Sequence, residues 1–399
     1  MRLPLLDDLP DAERVLVRSD LNVPISDGAV VDDQRIEASL PTYRALLDRG
    51  FALVICAHLG RPEGEVDRRY SLAPVAEHLG EMLETDVQLG PDDVAGDKAA
   101  QRASALRPGD VLLLENIRFD PGERSCEDGF VDRLVRLADC YVDDAFGACH
   151  REHASIVGPP ARLPSAAGSL LQREIEVLGG LRDAPEQPFV AVLGGAKVAD
   201  KLDVVAALAE RCDTTLVGGK MAMTFLAASG RSVDDSQVED DWIERCRELL
   251  DTGRIRLPVD LVVTESLDDG SSHHVVDIDD GGGDLADEWP DGWLGADLGP
   301  RTADTFAEAL DGARTVFWNG PLGVAEQERF AAGTRRVADA IAGCDGYSVV
   351  GGGETISALK DLDLVDRIDH VSTGGGAALE FVADGDLPGL RALRDASRR

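Results

Sequence analysis

Residues 189–201 read Phe189-Val190-Ala191-Val192-Leu193-Gly194-Gly195-Ala196-Lys197-Val198-Ala199-Asp200-Lys201. Five apolar residues running directly into paired glycines predict a buried strand, a tight turn and the start of a helix. Bare amides and two lysines one turn apart at such a helix start suit an anion. The device recurs. Gly218-Gly219-Lys220, Trp318-Asn319-Gly320-Pro321-Leu322-Gly323, Gly351-Gly352-Gly353-Glu354-Thr355 and Ser372-Thr373-Gly374-Gly375-Gly376 are further glycine-rich turns at expected strand ends. One such turn is explained by tight packing alone. Five together point to a nucleotide polyphosphate site built from backbone N–H groups. Neither G-x-x-x-x-G-K-[ST] nor G-x-G-x-x-G occurs, because Met221 follows Gly219-Lys220 and no strand carries the dinucleotide spacing, so a P-loop ATPase and a dinucleotide dehydrogenase lose support.

Working outward, strand candidates of the second half are Phe189–Leu193, Thr214–Val217, Leu261–Val263, Thr315–Trp318 and Tyr347–Val350. The first half has the same rhythm, with strands expected at Val15–Arg18, Ala52–Cys56, Val111–Leu114 and Cys140–Val142, and helices at Ile36–Leu47 and Leu72–Met82. This alternation predicts two doubly wound α/β domains with parallel sheets, each binding its ligand at the strand carboxyl ends. The expected divisions are a first domain over 1–168, a connecting helix and hinge over 169–188, a second domain over 189–375, and a C-terminal segment over 376–399 that packs back towards the first domain. The Asp- and Gly-rich stretch Ser271–Leu285 reads as a solvated loop, and His273-His274 within it as exposed.

The 399 residues include 40 Lys plus Arg against 75 Asp plus Glu, a formal charge of −35. A surface this acidic repels itself in dilute buffer and suits concentrated salt, and it offers no basic field to gather nucleic acid. Only Lys98, Lys197, Lys201, Lys220 and Lys360 are lysine, and three of these cluster between 197 and 220, where a compact ammonium is needed. No apolar run is long enough to span a membrane, and no secretory signal opens the chain. The seven cysteines are scattered and never spaced C-x-x-C, which predicts a reducing, cytoplasmic setting without a zinc cage, and packing rather than nucleophilic thiols.

Several first-half strand ends carry basic or amide side chains. Arg18-Ser19-Asp20-Leu21-Asn22-Val23-Pro24 closes the first strand, Arg35 opens the next helix, and His58-Leu59-Gly60-Arg61-Pro62 closes the second strand. Arg118 follows Leu114-Glu115-Asn116-Ile117, and His150-Arg151 follows Asp144-Ala145-Phe146-Gly147. Any one Arg is explained by an ion pair with one of the 75 acids. At one sheet edge they form a positive pocket, costly unless an anion fills it. His150 and His153 are three apart but lack a third ligand at metal spacing, so a phosphate-binding or orienting role is expected.

These strings, with Leu193-Gly194-Gly195-Ala196-Lys197-Val198 and Trp318-Asn319-Gly320-Pro321, resemble the motifs of phosphoglycerate kinases, in the family's order over nearly the whole chain. The resemblance implies two Rossmann-like domains joined by a helix, and transfer of the γ-phosphoryl of MgATP to the carboxylate of 3-phosphoglycerate, reversibly, in glycolysis and gluconeogenesis. It implies that Asp20 and Asn22 hold the hydroxyl and carboxyl end, that His58, Arg61, Arg118 and Arg151 grip the 3-phosphate, and that Arg35 meets the reacting carboxylate. On the nucleotide side it implies Gly194, Gly195, Lys197, Lys201, Asn319, Glu326 and the loop Gly351, Gly352, Gly353, Glu354 and Thr355. Amides near Gly353 and Gly375-Gly376 would face the transferred group, so Arg35, Lys201, Gly353 and Gly376 are the catalytic candidates. The implied cofactor is Mg²⁺ carried with ATP or ADP, with Glu354, where the family usually has Asp, beside it. Lys220 interrupts a stretch that is usually glycine followed by an apolar residue. A monomer is expected, without nucleic-acid or membrane partners.

An NAD-dependent two-domain dehydrogenase would share the α/β architecture but not the glycine spacing. A non-catalytic nucleotide-binding scaffold would keep the glycines without needing Arg35 and Lys201. The charge yields a first prediction: activity and cooperative structure fall as KCl is lowered, because acid–acid repulsion returns once the Debye length reaches about 10 Å near 0.1 M. Unchanged thermal unfolding in dilute buffer would contradict it.

Overall fold

The computed structural model describes residues 3–195, 197–199, 201–278 and 289–398. The chain divides into two compact units, one of residues 1–176 with 386–399, the other of residues 177–385. The boundary falls inside the helix Ser169–Asp183. The helix Gly376–Asp384 belongs to the second unit, and of the C-terminal segment it is the last helix, Pro388–Ala396, that packs on the first. There Gly389 donates its amide to the Cys149 carbonyl at 2.9 Å, and Arg394 clasps Asp386 with two hydrogen bonds of 2.7 Å.

The first unit holds six parallel strands in the spatial order Val87–Leu89, Val111–Leu113, Ala52–Cys56, Arg14–Ser19, Cys140–Asp144, Ser165–Ala167. Ala52–Cys56 and Cys140–Asp144 are buried at every position, as expected where helices cover both faces. Strand order reverses between Arg14–Ser19 and Cys140–Asp144, so the ligand crevice of such a sheet opens past Ser19 and Asp144. Asp144 also anchors the start of the connecting helix, its Oδ1 accepting from the Leu170 amide at 3.0 Å, and burial pushes its carboxyl up to about 8.

The second unit's main sheet is also parallel, in the order Ile255–Arg256, Thr214–Val217, Phe189–Leu193, Thr315–Asn319, Tyr347–Gly351, His370–Ser372. Two expectations need correction. Leu261–Val263 does form a strand, Asp260–Thr264, but in a separate antiparallel sheet with His273–Asp277 and Leu294–Leu298. The stretch read as a solvated loop therefore contributes a strand at His273–Asp277, although both histidines are exposed; residues 279–288, including Gly281-Gly282-Gly283, lie outside the described residues. The apolar run Leu261–Val263 reveals a strand but not which sheet it joins, and the mostly exposed His273–Asp277 has the composition of a loop.

At the reversal point of this sheet the loops after Phe189–Leu193 and Thr315–Asn319 touch backbone to backbone. A Cβ on Gly194 would lie 2.1 Å from the Pro321 carbonyl oxygen, and one on Gly320 would lie 2.3 Å from that of Gly194. Gly194→Ala therefore forces the loops apart, and overpacking of this kind costs about 1–3 kcal/mol. Denaturant unfolding should show that loss, and an unchanged midpoint would mean that the contact is slack.

Candidate active site

In the first unit the strand ends bring the sequence candidates together around two buried groups. Asp20, just past Arg14–Ser19, is buried and takes a 2.5 Å ion pair from Arg35 at the start of the helix Gln34–Asp48. Asn22 accepts the Gly60 amide at 2.8 Å, and Arg118 donates to the Gly60 carbonyl at 2.7 Å, so the loops after the strands Arg14–Ser19, Ala52–Cys56 and Val111–Leu113 are tied at one residue. His58, mostly buried, receives Arg18 Nη2 on its Nδ1 at 3.1 Å. Arg61 and Arg151 are exposed and make no side-chain hydrogen bond or ion pair among the described residues. Cations without a carboxylate partner are notable in a chain of net charge −35.

Burial and then the neighbouring cations hold the histidines neutral. His58 lies well below its ordinary value, first by burial and then through Arg18, Arg118 and Arg35. His150 and His153 are both pushed down to about 4, again chiefly by burial. Burial followed by the Arg18 charge brings Arg118 down to about 10, so it remains a cation at neutral pH with its Nε buried and without a partner. An anion would relieve both strains. Thiol chemistry is disfavoured, since burial pushes Cys56 up to about 12 and Cys149 well above its ordinary range.

Sequence reading missed the supports of this pocket. Arg18 stands inside a quoted motif but received no role, and Glu123, Ser155 and Asp143 were not singled out. All four are fully buried. The available signal was Arg18 itself, an arginine directly after the apolar run Val15-Leu16-Val17 of the strand Arg14–Ser19.

In the second unit all five glycine turns follow strand carboxyl ends, but they divide into two kinds. The amides of Gly194, Gly195 and Gly219 are committed to the carbonyls of Asn319, Pro321 and Leu322, and that of Gly320 to Thr355 Oγ1. These glycines permit close approach and do not offer free amides, contrary to what their sequence suggested. Gly353 and Gly376 head the helices Gly353–Asp361 and Gly376–Asp384, and their amides meet no acceptor among the described residues. Gly352, at φ +97°, supplies the left-handed turn that aims the first of these helices.

Between the two kinds of turn sits Lys201. Its Nζ donates to the Gly194 carbonyl at 2.6 Å and to Asn319 Oδ1 at 2.9 Å. Asn319 Nδ2 is buried without a partner and lies beside Gly351 and Gly352. Lys201 precedes the helix Leu202–Arg211 rather than lying on it, so Lys197 and Lys201 are not a helical pair; Lys197 is exposed, and Ala196 and Asp200 lie outside the described residues. Thr355 is buried and serves Gly320, while Glu326 and Glu354 are exposed.

An open cleft adjoins these turns, walled by Met223, Leu261, Ala296, Pro321, Leu322 and Val324, with Lys220, Asp297, Glu326 and Glu354 as its polar groups. Apolar walls with a few polar groups suit a flat base and its ribose. Lys220 is exposed at the rim. The antiparallel sheet contributes Leu261 and Asp297, which motif reading could not find because their neighbours in the cleft come from distant parts of the chain. Burial pushes the Asp297 carboxyl up to about 7, against hydrogen bonds from the Gly333, Leu298 and Ala332 amides.

The family model for phosphoglycerate kinase matches residues 6–385. The chain is 48% identical to a phosphoglycerate kinase of Salinispora arenicola, covering 99% of this chain and all of that one. It is 50% identical to that of Frankia alni, covering 97% and 99%. Among solved structures, phosphoglycerate kinase from Pyrococcus horikoshii superposes with a TM-score of 0.86 at 35% identity, covering 99% of this chain and 100% of the other. That from Coxiella burnetii gives 0.85 at 36% identity, covering 99% of each. With this identity sustained over nearly its whole length, and two parallel sheets of the same architecture, the chain belongs to the phosphoglycerate kinase family.

Proposed function

We propose that the first unit binds 3-phosphoglycerate at its strand-end pocket, that the second binds ATP or ADP in the glycine-lined cleft, and that the chain transfers a phosphoryl group between them. The observation that carries this is the division of anion-binding chemistry: guanidinium and imidazole side chains on one unit, unpaired helix-start amides with Lys201 and Asn319 on the other. Forked side chains suit a small acid that must be oriented, while amides suit a polyphosphate bound irrespective of its base.

In this reading His58, Arg61, Arg118 and Arg151 hold the phosphate that does not react, and Asp20 and Asn22 set the hydroxyl and carboxylate. Arg35 is held by Asp20 at one Nη, leaving the rest of its fork for the reacting carboxylate. Lys201 follows the transferring phosphates, and the amides of Gly353 and Gly376 face the equatorial oxygens as charge develops. No covalent enzyme intermediate is required. Among the described residues no cluster of three metal-ligating side chains occurs, which fits an ion held mainly by nucleotide phosphates with Glu354 as the protein carboxylate. Mg²⁺ bound in this way neutralises phosphate charge. The acidic composition supports a salt-adapted enzyme, the scattered free cysteines a reducing, cytoplasmic setting, and the helix joining the units a closure on the substrates.

A coupled assay with 3-phosphoglycerate and MgATP in high salt tests the activity, and absence of turnover would overturn it. Arg35→Ala should cut kcat by about 10²- to 10⁴-fold, with Arg35→Lys recovering only part, since a point charge cannot replace the fork. Arg118→Ala should mainly raise KM for 3-phosphoglycerate. A near-normal kcat for Arg35→Ala would show that the transition-state arginine is misplaced. Small-angle scattering should show compaction with both ligands and much less with either alone; an unchanged radius in the ternary mixture would argue against closure.

A further inference from the structure

Glu123, Ser155 and Arg18 form a chain of groups that solvent does not reach, ending on the nearly buried His58. The Ser155 amide donates to Glu123 Oε2 at 2.9 Å and the Ser155 hydroxyl to Oε1 at 2.7 Å. Arg18 Nε donates to the same hydroxyl oxygen at 2.9 Å, its Nη1 to the Ser19 carbonyl, and its Nη2 lies 3.1 Å from His58 Nδ1. Guanidinium has donors and no acceptor. His58 Nδ1 must therefore accept, and a neutral ring then carries its proton on Nε2, an atom with no hydrogen bond within the chain among the described residues.

We propose that Glu123 is a positioning residue for substrate binding: acting through Ser155 it anchors Arg18, and Arg18 fixes His58 as the Nε2–H tautomer that donates into the strand-end pocket. This rests on reading that pocket as the 3-phosphoglycerate site. Burial and then the charges of Arg18, Arg118, Arg35 and His153 hold His58 well below its ordinary value, so the ring stays a neutral donor through the physiological range; Asp20 and Glu123 face Arg18, and Asp20 is paired with Arg35. Glu123 faces Arg18 and Arg118, and His153 Nδ1 lies 3.8 Å from its Oε1. Removing the Glu123 charge takes away the carboxylate tied to Arg18 through Ser155 and leaves Asp20 as the carboxylate still facing it, so its fork is then free to rotate off His58.

Ring nitrogen–proton correlation spectra of histidine-labelled protein in high salt, without substrate, test this. The wild type should show His58 protonated at Nε2 and bare at Nδ1, unchanged from about pH 5.5 to 8. Glu123→Gln, and separately Ser155→Ala, should bring in the second tautomer or a titration nearer 6.5. Each should raise KM for 3-phosphoglycerate about tenfold while kcat changes less than about threefold. A wild-type proton on Nδ1, or a His58 spectrum unaltered in both variants, overturns the proposal; should Glu123→Gln fail to fold, the wild-type spectrum and Ser155→Ala still decide. Because the spectra need no substrate, the expected tautomer in a protein that does not turn over 3-phosphoglycerate would refute the functional reading alone.

Discussion

Holding unpaired cations at one sheet edge of a chain with net charge −35 is the constraint on which the first unit depends. Seventy-five acids compete for every arginine. The fold meets the competition by burial and position. Arg18 and Glu123 are withdrawn from solvent together, Asp20 takes one edge of Arg35, and Arg118 is turned onto a backbone carbonyl. What remains is a pocket whose inner cations, Arg18 and Arg118, are held by buried or backbone partners, while Arg61 and Arg151 stand exposed.

The second unit is built differently, from backbone turns gathered around the ammonium of Lys201. Its parallel sheet delivers five turns to one edge, and the packing of Gly194 against Gly320 brings two of them close enough for Lys201 to bridge both. Side chains larger than hydrogen would separate these loops and leave Lys201 and Asn319 out of register. The amides that stay open belong to the outer helices starting at Gly353 and Gly376, so glycine content and amide availability are distinct properties.

Most of this was legible in the sequence where local patterning decides structure. The apolar runs at Ala52–Cys56 and Phe189–Leu193, and the helix at Ser169, follow from composition and period alone. What was not legible depends on distant partners. Whether a glycine amide is free depends on which carbonyl arrives from elsewhere, as Pro321 does for Gly195. That Arg18 is a buried hub and not a surface charge depends on Glu123 and Ser155, more than a hundred positions along the chain. That Asp260–Thr264 joins a separate antiparallel sheet, and that His273–Asp277 pairs beside it, escaped because strand pairing depends on distant partners and the mostly exposed His273–Asp277 leaves no continuous apolar run to read.

The account stands on two half-sites that recognise different anions by different chemistry. Backbone hydrogen exchange measured in high salt with each ligand alone tests that most directly. 3-Phosphoglycerate should slow exchange around residues 18–22, 58–62, 116–118 and 148–153 and leave 351–355 and 374–377 as they were. Mg-nucleotide should do the reverse. Protection of the first unit's strand ends by nucleotide alone, or of the turns at Gly353 and Gly376 by 3-phosphoglycerate alone, would contradict the division.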